Sequence, residues 1–353
     1  MTVSAFEHPW LSALFGDEEV ASLFAVERMA ESFLRFELAL TRALGDHGVI
    51  GKPVADGVME RLEGFRPDMA AIASGFANDG VPAPSFVKQL KAAVGGDLAS
   101  GVHLGATSQD LSDTALVDLL GAANAILATR LRQAAAALEE LEGRFGPAPL
   151  MGRTRMQAAQ PITVGHRVST WRAPLIRHSQ RLEDINRNLL LLQFGGAVGT
   201  GGALGDKHAA IARQVAKELG LAYSPDCWHT TRDALAEYAN WLSLVTGSLG
   251  KMGQDICLMA QQGLDEVTLG GGGGSSAMPH KRNPVKAEAL VTLARFNAVQ
   301  VGGMHQALVH EQERSGAAWS LEWLILPQMV VAAAASLATG IALLNDVERL
   351  GDP

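Results

Sequence analysis

From Ser112 to Phe145 the chain contains no proline, and its apolar residues fall on one helical face: Leu116, Leu119, Leu120, Ala123, Ile126, Leu127, Leu131, Ala134, Leu138 and Leu141. Such a run predicts a single helix of roughly 50 Å, at about 1.5 Å of rise per residue. The GPAP of residues 146–149 ends it. Hydrophobic residues make up 48% of the chain and charged residues 19%, so a disordered chain is excluded. Aromatics are only 5% and alanine is abundant, a composition for closely packed helices.

Helical spacing also marks residues 17–50, opened by Asp17, Glu18 and Glu19, then 164–192 with a bend expected at Pro174. Further helices are predicted over 209–219, 233–262, 284–312 and 317–344, and NDGVPAPS (78–85) reads as a loop. Leu324–Leu344 carries no charge and is long enough to cross a bilayer. Pro327, Gln328 and an alanine-rich centre make it a buried helix of an oligomer core instead, so no membrane is expected.

The net charge of −8, with no basic tract interleaved with aromatics, argues against a nucleic-acid partner. Cys227 and Cys257 form no CxxC or Cys/His cluster and read as reduced residues of a cytoplasmic protein. The first residues lack the basic and apolar regions of a signal peptide. His305 and His310 stand without a carboxylate pattern, so no metal is expected.

Three stretches carry chemistry. Residues 270–288 read GGGGGSSAMPHKRNPVKAE, and five glycines oppose both helix and strand, which predicts a mobile loop. Ser275, Ser276, Lys281, Arg282 and Asn283 follow, a set able to close over an anion and to stabilise an alkoxide. Residues 101–114, GVHLGATSQDLSDT, offer the Thr107 and Ser108 hydroxyls on a turn before a helix; this suits a carboxylate, but on its own TSxD is more often a plain helix cap. Residues 152–165 read GRTRMQAAQPITVG.

Together these resemble the three signatures of the fumarase/aspartase superfamily. The GSSxMPxKxNPxxxE pattern falls on Gly274 to Glu288, HxGxTSxDxxDT on His103 to Thr114, and GRTHxQxAxPxTxG on Gly152 to Gly165. The resemblance implies an all-α, fumarase/aspartase-like fold: an N-terminal helical domain (1–109), a long antiparallel bundle (110–345) and a remnant at 346–353, the usual C-terminal domain being absent or reduced. It also implies a homotetramer in which the three motifs meet from three subunits. Ser275 would then be the catalytic base, with Lys281 beside it. Thr107, Ser108, Thr154, Gln157 and Asn283 would bind substrate carboxylates.

One position departs from the pattern. Arg155 stands where most of these lyases have a histidine that helps an amine or hydroxide to leave. A carboxylate leaving group needs no such acid, and an arginine holds an extra negative charge instead. The bacterial 3-carboxymuconate cycloisomerases are the branch that lacks this histidine, usually with tryptophan in its place, so Arg155 departs from them as well; they share the GGAxGT element (195–200) and the WHTxRD segment (228–233). His229 and Arg232 are thus candidates for substrate or structural roles.

The implied activity is a cofactor-free cycloisomerisation of a small anionic tricarboxylate in protocatechuate breakdown. A 3-sulfomuconate cycloisomerase, an adenylosuccinate- or argininosuccinate-type lyase and a catalytically silent crystallin-like protein are the alternatives.

Overall fold

The computed structural model describes residues 3–271, 273–274, 278 and 281–353. Two single-turn helices, α1 (Ser12–Phe15) and α2 (Glu18–Ala21), precede α3 (Val26–Asp46), α4 (Lys52–Arg61), α5 (Met69–Asp79) and α6 (Ala83–Val94). Asp17 starts α2 by accepting the Val20 N–H at 3.0 Å. The single helix expected over 17–50 is broken at Ala25, whose backbone is extended. The loop expected at 78–85 shrinks to Gly80–Pro82. Gly80 ends α5 in a left-handed conformation, and Pro84 falls in the first turn of α6, where a missing N–H costs nothing.

The longest element is α7 (Ser108–Phe145), about 57 Å from end to end. A hairpin of β1 (Pro149–Thr154) and β2 (Gln157–Thr163) joins it to α8 (Val164–Leu189), which runs unbroken through Pro174. Then come α9 (His208–Leu219), α10 (Asp233–Met259), β3 (Val267–Leu269), β4 (Gly273–Gly274), β5 (Arg282–Asn283), α11 (Val285–Gln306), α12 (Ala317–Asn345) and β6 (Val347–Leu350). The fold is mostly helical, and among the described residues its departure from all-α is three antiparallel ribbons, β1–β2, β3–β6 and β4–β5, and an isolated parallel bridge between Leu191 and Ala222. Gly273 and Gly274 of the glycine run thus pair with Asn283 and Arg282.

Two cores form. The larger lies among α7, α8, α10, α11 and α12, and every residue of α12 from Met329 to Leu337 is buried in it. The uncharged run of residues 324–344 is therefore part of this inner helix. Where α10 crosses α11, a Cβ on Gly253 would sit 2.5 Å from the Ala287 carbonyl oxygen; glycine there lets the two backbones touch. The second core joins α3, α4 and α6 to the start of α7 and to α9.

The bundle has two distinct ends. Trp319 at the start of α12 and Arg232 just before α10 both donate to Asp113 near the start of α7. At the other end Arg144, in the last turn of α7, donates to the Val347 carbonyl at 3.2 Å, and Gly270 donates to that of Asp346 at 2.7 Å.

Candidate active site

At the first end, the N-terminal turn of α7 is built on Asp110. Its carboxylate is fully buried and accepts the backbone N–H of Thr107 (2.9 Å), closing a capping box. It also accepts the N–H groups of Gly195 (2.8 Å) and Gly196 (2.9 Å) and the Nε2 of His229 (2.8 Å). The Gly-rich segment is thus a ligand of Asp110. Glycine is required at 196, where φ is +70° and a Cβ would lie 2.8 Å from the Gly105 carbonyl oxygen. Burial alone would lower the pKa of His229, but the Asp110 hydrogen bond and the neighbouring Cys227 outweigh it and raise the value to about 9.

Arg232 lies one turn deeper and is buried. Its guanidinium meets Asp113 at 2.6 Å and 3.1 Å and Glu322 at 2.5 Å and 2.8 Å, and it stacks over Trp228. Burial opposes its charge, and the two carboxylates more than restore it. Its donors go to Asp113 and Glu322 and tie α7, α10 and α12 together. His229 is likewise buried, and it reaches Asp110, not open space.

Thr107 and Ser108 are half-buried above this cluster. Ser108 lines an open cavity of about 590 Å³ together with Arg314, Ser315, Gly316 and Trp319, so the N-termini of α7 and α12 both face it. Arg314 donates to the carbonyls of Ala197 (2.8 Å) and Gly196 (3.5 Å), and among the described residues no carboxylate pairs with it. Sequence reasoning missed this cation. Its one local signal is a basic residue shortly before the start of α12, and its nearness to Ser108 depends on long-range packing.

The opposite end carries the other two motifs. Arg155 and Met156 form the exposed tip of the β1–β2 hairpin, and Thr154 and Gln157 flank them, also exposed. Arg153 anchors the hairpin through Glu266 at 2.7 Å. Between the hairpin and α8 and α10 lies a cavity of about 1060 Å³ whose lining includes Arg153, Arg155, Arg167 and Lys251, against Asp255 and Glu266. A second cleft, of about 730 Å³, is lined by Lys281, Arg282, Asn283, Glu288 and Cys257, and Gln261 borders both. Burial, with the Glu288 charge beside it, pushes the Cys257 thiol up to about 11, which leaves it a poor nucleophile. Ser275, the expected base, lies outside the described residues.

Residues 25–303 match the lyase family. The chain belongs to this lyase family, within the fumarase/aspartase superfamily.

The chain is 39% identical to the 3-carboxy-cis,cis-muconate cycloisomerase of Pseudomonas aeruginosa, over 95% of the chain and 74% of that protein. It is 36% identical to the enzyme of the same name from Acinetobacter baylyi, over 96% and 76%. The crystal structure of the 3-carboxy-cis,cis-muconate lactonizing enzyme from Pseudomonas putida superposes with a TM-score of 0.89 at 35% identity, over 96% of this chain and 77% of that one.

Within this lyase chain, hydroxyl donors, two helix N-termini and Arg314 gather at one end of a helix about 57 Å long. Lys281, Asn283 and the Arg155 hairpin gather at the other. Either group can hold carboxylates.

Proposed function

We propose that this lyase interconverts 3-carboxy-cis,cis-muconate and 4-carboxymuconolactone, a step of protocatechuate breakdown by the β-ketoadipate route. Two findings support the reading: the likeness to cycloisomerases over most of the chain, and a guanidinium on the hairpin where other lyases place an acidic histidine. The second carries it. Arginine stays protonated and is a poor proton donor to a leaving group, and a carboxylate leaves without one.

In the lactonising direction, one substrate carboxylate oxygen adds to the double bond conjugated with a second carboxylate. The electron pair moves onto that carboxylate, giving an aci-carboxylate dianion, and Ser275 delivers a proton to carbon. In reverse, Ser275 takes that proton and the lactone carboxylate departs. Lys281 and Asn283, with Thr107 and Ser108, hold the dianion, whose stabilisation is the largest contribution to rate. Thr154 and Gln157 orient the substrate, and Arg155 and Arg314 take its remaining negative charge. The reaction calls on no cofactor.

The two motif groups stand at opposite ends of α7, so within this proposal a site is completed by other copies of the chain. The working form is a cytoplasmic homotetramer of the bundle (110–345) with the N-terminal unit (1–109) outside it.

The test is an ultraviolet assay with freshly prepared 3-carboxy-cis,cis-muconate, without metal or nucleotide. Rapid loss of the conjugated diene with lactone formation is expected, reduced by at least about a hundredfold in Ser275→Ala. An intact oligomer that leaves the diene untouched would exclude the proposal.

A further inference from the structure

Asp110 takes hydrogen bonds from three separate pieces of chain: Thr107 at the start of α7, Gly195 and Gly196 in the Gly-rich loop, and His229 before α10. The first two pieces adjoin residues that line the cavity at this end. Thr107 adjoins Ser108, and the Gly196 and Ala197 carbonyls hold Arg314. His229 touches neither the cavity nor either substrate-facing hydroxyl; it is buried and contributes a single charge-assisted contact at 2.8 Å.

We infer that His229 is a positioning residue: its positive charge, acting through Asp110, keeps the first turn of α7 and the 195–197 loop in the arrangement that aims Thr107, Ser108 and Arg314 at one anion. The inference rests on the reading of this cavity as a substrate-carboxylate site.

The chemistry is local. Asp110 is a buried carboxylate, and three backbone donors satisfy its hydrogen bonds without cancelling its charge. His229 cancels it. Among the charged groups nearby, Asp113 and Glu322 share the single charge of Arg232, with His310 Nε2 3.4 Å from Glu322, and His103, held by Glu37 at 2.5 Å, also feels the charge of Asp110. Cys227, on the same segment as His229, is the remaining titratable neighbour, and the Gly-rich loop faces Asp110 with backbone N–H groups.

The Nδ1 of His229 is buried without a nitrogen or oxygen partner and has only the weak sulfur acceptor of Cys227 beside it, so it is the proton on this nitrogen that leaves first as pH rises. The Nε2–H to Asp110 then remains but becomes an ordinary neutral hydrogen bond, about half as strong as its charged form. With the imidazole poised at about 9, the arrangement holds at neutral pH and relaxes above it.

Two readouts test this from pH 7 to pH 10. One is deuterium exchange of the segments 103–110 and 194–201, corrected for the intrinsic rate, with the middle of α7 as internal control. The other is KM and kcat for 3-carboxy-cis,cis-muconate. In the wild type, exchange in both segments and KM should each rise about tenfold across pH 9, with kcat changing less. His229→Gln, a neutral donor at every pH, should show the alkaline values already at pH 7 and no further change.

Exchange in these segments that ignores pH in the wild type, or wild-type protection at pH 7 in His229→Gln, would overturn the inference. If the variant does not fold, the wild-type titration of segment 194–201, which does not contain His103, decides. If exchange follows His229 while the substrate is not turned over, the assigned activity fails and the positioning role stands.

Discussion

Arg155 and Met156 have φ values of +49° and +68°, the left-handed geometry that a two-residue hairpin turn requires at both positions. Asparagine and glycine fill such turns readily, whereas arginine and methionine each cost roughly 1–2 kcal/mol there. Both side chains are exposed, so packing within the chain does not explain them. Within the proposed function, this strain is kept for the guanidinium at the tip of the turn. Arg155→Asn should therefore raise the unfolding free energy by about 1 kcal/mol while lowering kcat/KM at least tenfold. Calorimetry and the diene assay measure the two effects on one sample. A variant that is stabler and fully active would remove the anion-holding role from Arg155 and leave only the strain.

The Gly-rich loop shows at the level of elements what a sequence can and cannot disclose. Helices α7, α10, α11 and α12 are legible because helical periodicity is a local property, read within a dozen residues. The β1–β2 hairpin is not, because most of β2 is exposed and shows no alternation of buried and exposed side chains. Nothing local marks residues 194–206 as a ligand of Asp110, since that carboxylate is 85 positions away. Arg232 looks like a site residue for the same reason: Asp113 and Glu322, which occupy it, are 119 and 90 positions distant. The motifs themselves fix Thr107, Ser108, Lys281 and Asn283 as candidates, whereas Arg314 emerges only when α7 and α12 are packed.

The loop's rigidity has a measurable consequence. In Gly196→Ala, φ of +70° and a Cβ 2.8 Å from a carbonyl oxygen should cost about 2–3 kcal/mol and push the loop off Asp110. KM should then rise more than kcat falls. The same substitution at Gly143, where a Cβ meets nothing within 4 Å, should leave KM untouched and serves as the control.

At the scale of the whole molecule, the length of α7 decides how a site can be assembled. About 57 Å of helix separates Thr107 and Ser108 from the hairpin that follows Phe145, and Lys281 and Asn283 line a cleft at that same far end. No muconate-sized anion spans that distance, so a chain acting alone would hold two incomplete sites. If copies of the chain complete each other, a variant lacking Thr107 and Ser108 hydroxyls (both →Ala) and a Lys281→Ala variant fail for different reasons in different subunits. Each should be nearly inactive by itself. Dissociated and reassembled at equal concentrations, they form mixed oligomers in which about one quarter of the sites draw an intact hydroxyl pair from one parent and an intact lysine from the other. Activity should return to about that fraction of wild type, with the KM of the wild-type enzyme because the restored sites carry every group. Mixed oligomers, verified by native mass spectrometry, that stay inactive would show that the two motif groups do not act on one substrate. The two ends of α7 would then have to be treated as separate sites.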